Sequence, residues 1–449
     1  MAEKWRTNLP ICGRIVIANT IATKQRGRWS SMLNYTTQTY QMKREIFNFT
    51  GKISKGLFRP AKKFLTDMCY GMMASGSCLL TEVAQKLHEN AKKIKVVDRL
   101  SKHLAKGCDE RAEKNYLDMV EKWLPQEPVV VIDDSDVAKP EGEHFESLGW
   151  VRDGSASTKK HTVIVKGYHV TEACIATEKM NHPVSIFSAV HSATKDTNPT
   201  SKEITFAAIE RAVSLRPKCT FVLDRGYDDN EIIGKLLEMG QDFVIRMKRN
   251  RKLFFHNRWI SAPELCNRRR GRINMNARYK GEEYRVRLSH VQVRITGSDK
   301  VLYIVLVYGI SEHPMMLLTN IPVQSKEDVK RIAKIYYKRW KIEEYFKAKK
   351  QLFDFENFRV RTLSAINTLN FCITVCMAFL AQLILKKHTC SLYAEVISAA
   401  QPIKEKVNLE YYRIAYGIRE LLSFARQSMK AWFKPLRPDP LQLRIKLPA

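Results

Sequence analysis

The chain is 449 residues long with 45% apolar residues, enough to build two or three substructures with cores of their own. Its formal charge of +30, with Lys and Arg in every region, points to a polyanionic partner, and to nucleic acid over a membrane surface, because dispersed cationic contacts are rewarded by counterion release. None of the ten cysteines forms a C-x-x-C pair, and the closest two, Cys372 and Cys376, stand at helical spacing in an apolar run, which excludes a disulfide framework and a zinc site.

In chain order, residues 1–127 alternate amphipathic helical patches such as AEKNYLDMVEKWL (Ala112 to Leu124) with basic clusters, and read as a mostly helical, DNA-facing region. The first thirty residues carry no clear element and no signal-peptide order. At Pro128 the texture changes. EPVVVIDDSD is a short apolar run ending abruptly in acids, the pattern of a buried strand whose tip meets solvent. Strands follow at HTVIVKG, EACIATEK, PVSIFSAV, TFVLD and DFVIRMK, with helical patterns SKEITFAAIERAVSL and DNEIIGKLLEMG between the last three; this alternation indicates a mixed α/β sheet.

From residue 249 to 322 the pattern turns β-rich, with the basic runs KRNRK and NRRRGR and the alternating strands YRVRLSHVQVRI and KVLYIVLVYGI, an insertion without a strong helix. Helix resumes at SKEDVKRIAKIYYKRW, with Ser325 as N-cap and Glu327 and Asp328 in its first turn. The long apolar stretch Ile366 to Leu385 is interrupted by Asn367, Thr368, Asn370, Thr374 and Gln382, so it reads as a buried core helix rather than a membrane span. Residues 386–449 form a helical, basic C-terminal region.

Three acids stand where an α/β protein places chemistry. Asp133 follows Val-Val-Val-Ile and Asp224 ends Thr-Phe-Val-Leu, each at the end of an expected strand; alone, either reads as a turn or capping residue. The third lies in YYKRWKIEEYFKAKKQ, where two acids are adjacent. At about 100° per residue, Tyr336, Arg339, Glu343 and Lys350 fall within an arc of roughly 60° on one helix face, and Glu344 lies off it. The alternative is an exposed helix on which Glu343 only pairs with Arg339 or Lys347.

Three carboxylates without His or Cys make an all-oxygen site suited to two Mg²⁺ or Mn²⁺ ions. In a basic protein that suggests phosphodiester chemistry, with no protein nucleophile. On this reading Asp133 bridges the ions, Asp224 and Glu343 complete the two coordination spheres, and Tyr336, Arg339 and Lys350 hold phosphates beside them.

At these residues the sequence resembles the DDE transposases of bacterial insertion sequences, in particular the insertion-sequence-four group with its Tyr-(2)-Arg-(3)-Glu-(6)-Lys signature, kept here in Tyr336, Arg339, Glu343 and Lys350. The strand-end acid followed by Ser (Asp133-Asp134-Ser135) and the box Asp224-Arg225-Gly226-Tyr227 match the other family motifs, and the resemblance covers residues 128–385. It implies an RNase H-like catalytic core over 128–385, interrupted by the insertion at 249–322. It further implies hydrolysis at the element's inverted repeats, attack of the freed 3′-hydroxyls on double-stranded target DNA, and a homodimer bridging two ends, in the bacterial cytoplasm at the nucleoid and without a membrane. Some relatives flip a base onto an insertion aromatic, a role open to Trp259 in FFHNRWI. Asp134 is the rival of Asp133, since adjacent strand residues face opposite sides.

Arg225, Lys248, Arg249, Arg251 and Lys252, then Arg268, Arg269, Arg270 and Arg272, are placed to follow backbone phosphates. Two other readings fit less of the pattern: an RNase H-like nuclease without strand transfer, and a DNA-binding protein derived from a transposase that has lost catalysis.

Overall fold

The computed structural model describes residues 37–433 apart from 155, 159–160, 177–181, 193, 195–198 and 401–409. The first thirty residues and the last residues of EACIATEK thus lie outside the described residues. Five helices come first: α1 (37–53), α2 (Arg59–Ser75), α3 (Leu80–Lys86), α4 (Lys93–Ala105) and α5 (Glu110–Glu121). The α4 and α5 patches are amphipathic, burying Val96, Leu100 and Leu104, and Ala112, Tyr116, Leu117 and Val120.

Next come β1 (Val129–Ala138), β2 (Gly149–Arg152), β3 (Ile164–Ala176), β4 (Pro183–Ser192), α6 (Ser201–Leu215), β5 (Thr220–Leu223), α7 (Asn230–Glu238) and β6 (Asp242–Arg246). In the sheet β3 lies antiparallel between β1 and β4, while β1, β5 and β6 run parallel. This is the mixed sheet expected of an RNase H-like core. The short βα spacing imposes it, because parallel neighbours need the α6 and α7 crossovers that the sequence supplies.

The β-rich segment holds β7 (Lys252–Phe255), β8 (Arg258–Ser261), α8 (Ala262–Asn267), β9 (Ile273–Tyr279), β10 (Glu282–Ile295), β11 (Ser298–Tyr308) and β12 (Met315–Thr319). It does not stand apart as a second sheet: β12 pairs antiparallel with β6, and the order β6-β12-β11-β10 carries the core sheet outward to twelve strands. The five consecutive buried residues of β12 have the all-apolar composition of a strand covered on both faces.

The polypeptide then forms α9 (Lys326–Tyr337), α10 (Trp340–Phe353), α11 (Leu363–Leu385), α12 (Ser391–Ala399) and α13 (Glu410–Ser423). Ser325 and Asp328 close a reciprocal capping box at the start of α9. Helix α11 is the one helix among the described residues long and apolar enough to cross a membrane, yet 89% of its most apolar stretch is buried inside the protein. Two of its polar residues bond to β4: Asn367 bonds both backbone groups of Val190, and the Asn370 amide donates to Ser188. Those partners on β4 are what a lipid-facing helix would lack. Helices α2, α4 and α13 pack on the same helix, joining the N-terminal helices to the sheet through one core.

Four expectations need correction. The strand at the first acids does not stop there; β1 continues through Asp133 to Ala138 because β3 offers it partners along that whole length. HTVIVKG and EACIATEK belong to the single strand β3 rather than to two strands. Gly167, at the end of HTVIVKG, sits where β3 crosses close to β1, and a Cβ there would stand 2.4 Å from the Val137 carbonyl oxygen. The insertion contains a short helix, α8, started by Ser261 and a proline in its first turn. Finally, YYKRWKIEEYFKAKKQ is two helices. Lys338 and Arg339 stay helical in φ and ψ, but their amides bond three residues back, to Ile335 and Tyr336, as in a tighter turn.

Candidate active site

The site forms where β1, the end of β5 and the α9–α10 junction meet. Side chains alternate along β1, so Asp133 and Asp134 face opposite sides of the sheet. Asp133 turns toward α10, where its Oδ2 accepts a hydrogen bond from Arg339 Nη1 at 2.6 Å. Asp134 turns the other way, and Thr171 donates its hydroxyl to Asp134 Oδ1 at 2.5 Å, with His191 beyond at 2.9 Å from the same hydroxyl.

Arg339 joins two of the three acids. Its second guanidinium nitrogen donates to Glu343 one helical turn on, so a single planar group spans Asp133 on the sheet and Glu343 on the helix. Glu344 points elsewhere and is paired with Lys341 at 2.9 Å. The helix-face argument therefore separates the two adjacent acids as the fold does, even though the helix is interrupted. The tight turn at the junction still carries Arg339 to the face of Glu343.

The third acid is tied in by the first signature residue. Asp224 lies just past β5, and its Oδ1 accepts from the Tyr336 hydroxyl at 3.0 Å. Arg246, at the end of β6, stands 3.9 Å from the same oxygen. The sequence reading missed Arg246, although it occupies the same kind of strand end as Asp224.

Charge and burial pull these groups apart. Burial raises the Asp133 carboxyl to about 7; Arg339 opposes that rise, while the nearby Asp224 and Asp134 add to it. At Asp224 burial pushes upward too, but Arg339, the Arg225 amide, Arg246 and the Tyr336 hydroxyl together hold the carboxyl below its usual value. For Arg339 burial works against the charge, and the surrounding acids more than offset it, so the guanidinium stays firmly protonated. The result is one reluctant carboxylate beside one fully ionised one.

Of the other residues singled out, Lys350 does lie on the α10 side of β1, but it donates to the Asp136 carbonyl and pairs with Glu356 at 2.9 Å rather than touching the three acids. Arg225, Arg249 and Arg270 are exposed, and Lys248 is half-buried with its amide bonded to Asp228. Arg251 needs correction as a surface contact for DNA. Its side chain is 9% exposed and ion-paired at 2.7 Å with the wholly buried carboxylate of Asp228, which makes it a brace between α7 and β7. Arg269 lies half-buried against Phe255. Trp259 is 50% exposed and packs on Phe254 with ring centroids 5.4 Å apart.

A buried ion pair, also missed, holds α10 in place. Lys349, next to Lys350, is paired with Glu172 of β3, with side chains 1% and 0% exposed. Ser185 and Ser188 donate to the same carboxylate, and Lys349 also reaches Thr374 of α11. Glu172 is the residue opposite Asp133 in the β1–β3 ladder, so the clamp fixes α10 against the strand that carries the first acid.

Among the described residues no group of three or more His, Cys, Asp or Glu side chains is placed to hold a metal ion. The donor chemistry nonetheless fits a hard dication. Asp133, Asp224 and Glu343 offer only oxygen, and the positive charge that holds Asp133 to Glu343 is a guanidinium standing where a cation would be balanced.

A family model described as a transposase DDE domain matches residues 124–380, more than half of the chain. No curated protein matches it.

Proposed function

Because the chain belongs to the family of transposases with a DDE domain, we propose that it mobilises an insertion sequence of the insertion-sequence-four group, cutting phosphodiester bonds at the element ends and joining the freed 3′-hydroxyls to target DNA. The observation that carries this reading is the convergence on one site of Asp133, Asp224 and Glu343, linked through Arg339 and Tyr336.

In the proposed mechanism Asp133, Asp224 and Glu343 would hold two Mg²⁺ ions. When bound, such ions activate the attacking oxygen and stabilise the leaving one. The protein's own groups do the positioning. Tyr336 orients Asp224 by its hydroxyl bond, so that carboxylate keeps one fixed direction. Arg339 exchanges its hold on Glu343 for a phosphate oxygen of the DNA, for which its fork is equally suited. Lys350 and the exposed Arg225, Arg249 and Arg270 supply further positive charge along the duplex. The Glu172–Lys349 clamp keeps Glu343 beside β1 while Arg339 moves.

Within the same reading, residues 1–127 bind the terminal repeats, residues 128–385 catalyse, the segment 249–322 contributes DNA contacts including Trp259, and two copies bring two ends together. The test is Mg²⁺-dependent cleavage of labelled DNA bearing the element ends by the wild type, Glu343→Gln and Glu344→Gln. Loss of cleavage in the first variant alone, with DNA binding retained, is the expected outcome. Normal cleavage by Glu343→Gln refutes the assignment.

A further inference from the structure

The hairpin of β9 and β10 has two unlike faces. Met275, Ala277 and Tyr279 of β9 and Val286 and Leu288 of β10 are buried and look toward α9, where Tyr279 meets Tyr337 with ring centroids 5.6 Å apart. At the turn, Lys280 lies 4.7 Å from the ring of Trp340, the first residue of α10. The ribbon is thereby seated beside the junction that carries Arg339.

Its other face is exposed and polar. Asn276 stands opposite Arg285, and Asn274 opposite Arg287; all four are exposed, and none makes a side-chain hydrogen bond or ion pair among the described residues. Arg272 and Arg278 continue the same row at its two ends, with Glu283 the acid opposite Arg278. Asparagine is a poor strand former, so two of them at alternate exposed positions, free of partners, are not explained by strand stability. The Asn amide, with a donor and an acceptor, matches the adenine edge, and the Arg guanidinium, with two donors, matches the two acceptors of guanine.

The dimensions agree. Residues two apart on a strand are about 6.8 Å apart, the rise of two base pairs at about 3.4 Å each; from the turn as far as Arg287, where Tyr308 of β11 joins, β9 and β10 form the two-stranded ribbon that fits the major groove. The surplus of arginine over acid on this face matches the charge of duplex DNA. We propose that the exposed face of the β9–β10 ribbon enters the major groove of duplex DNA and reads base sequence through Asn274, Asn276, Arg285 and Arg287, with Arg272 and Arg278 on the flanking phosphates. This rests on the reading that the protein acts on duplex DNA. It assigns sequence recognition to the segment beside the active site, in addition to the N-terminal helices.

The experiment is selection from a library of random-sequence duplexes by the full chain, comparing the wild type with Asn276→Ala/Arg285→Ala and Asn274→Ala/Arg287→Ala. Salt titrations of binding to unselected duplex are run on the same proteins, and the exposed positions leave the fold intact, which circular dichroism checks. The wild type should enrich a motif. Each double variant should relax adjacent positions of it by about 5- to 150-fold. Each should also keep near-unchanged specificity at the remaining positions. For Arg272→Gln/Arg278→Gln the motif should persist, and the salt slope should fall by about one for each arginine removed.

An unchanged motif in both Asn/Arg variants overturns the proposal. So does a wild type that enriches no motif, or a pair of variants that lower affinity for all sequences alike with a reduced salt slope, which marks phosphate contact only. Failure of the underlying transposase reading looks different: the wild type enriches a ribbon-dependent motif but never cuts DNA in Mg²⁺.

Discussion

Asp133→Asn should make the protein more stable above neutral pH while abolishing its chemistry. Burial, together with Asp224 and Asp134, raises the Asp133 carboxyl from 3.8 to about 7. A rise of about 3 units corresponds to about 4 kcal/mol. The sign follows from which state keeps the proton. Below about pH 4 both folded and unfolded chains hold it, and no penalty exists. Between about pH 4 and pH 7 the unfolded carboxyl is ionised while the folded one resists, so stability is lost as pH rises, and by about pH 8 the whole cost is present. Asparagine carries no such cost, but it gives Arg339 a neutral acceptor in place of a charged one, a loss of about 1 kcal/mol.

The net gain at pH 8 is therefore about 3 kcal/mol, or about 3 °C in Tm for a protein of this size at about 2 cal/mol/K of unfolding entropy per residue. Near pH 4 the gain should vanish or reverse. Paired thermal melts of the wild type and Asp133→Asn at pH 4, 6 and 8 measure this difference, and DNA cleavage should be lost at every pH. A Tm difference that stays flat across that range, or that grows toward acid, refutes the claim that Asp133 is held in a costly charged state by its surroundings. Such a cost is what a site built to meet a cation pays in its absence.

Further variants probe the buried clamp and the helix packing. Lys349→Met leaves the Glu172 carboxylate buried without its cation and should cost about 3–5 kcal/mol in denaturant unfolding, whereas Lys349→Met/Glu172→Leu should recover at least half of that; equal losses in both would show that the clamp holds by packing alone. In α13, Gly417→Ala would place a Cβ 2.0 Å from the Val396 carbonyl oxygen of α12, so it should lower Tm although alanine ordinarily favours a helix by about 1 kcal/mol. Gly51→Ala in α1, with nothing within 4 Å of the added carbon, should be neutral or stabilising, and a matching drop there would locate the effect in helix propensity instead.

Much of the site was legible because its residues lie on regular elements with fixed periods. The two-residue period of a strand separates Asp133 from Asp134, and the helical period separates Glu343 from Glu344. Both separations follow from local geometry, and in the structure Arg339 and Thr171 receive the two aspartates on opposite sides. Arg251 and Lys349 show where such reasoning stops. Each is a basic residue in a basic stretch, indistinguishable in sequence from its solvent-facing neighbours, yet one is sealed against Asp228 and the other against Glu172. Their partners lie 23 and 177 residues away, and no periodicity reaches across such intervals.

What the amino-acid sequence determined by itself is whatever short-range sterics and alternation control: the βαβαβ order, the Ser325 cap, the apolar α11, and the choice of acids that can face one another. What only the tertiary structure decided is which long-range partners those elements find. The strand β1 runs past its acids because β3 is there to pair with it, α10 starts afresh at Trp340 after a tight turn, and the inserted strands extend the core sheet through β12 and β6. The physical reason is the same in each case. Backbone pairing and buried charge are satisfied only by specific groups brought close in space, and proximity between residues distant in the chain is a property of the folded core.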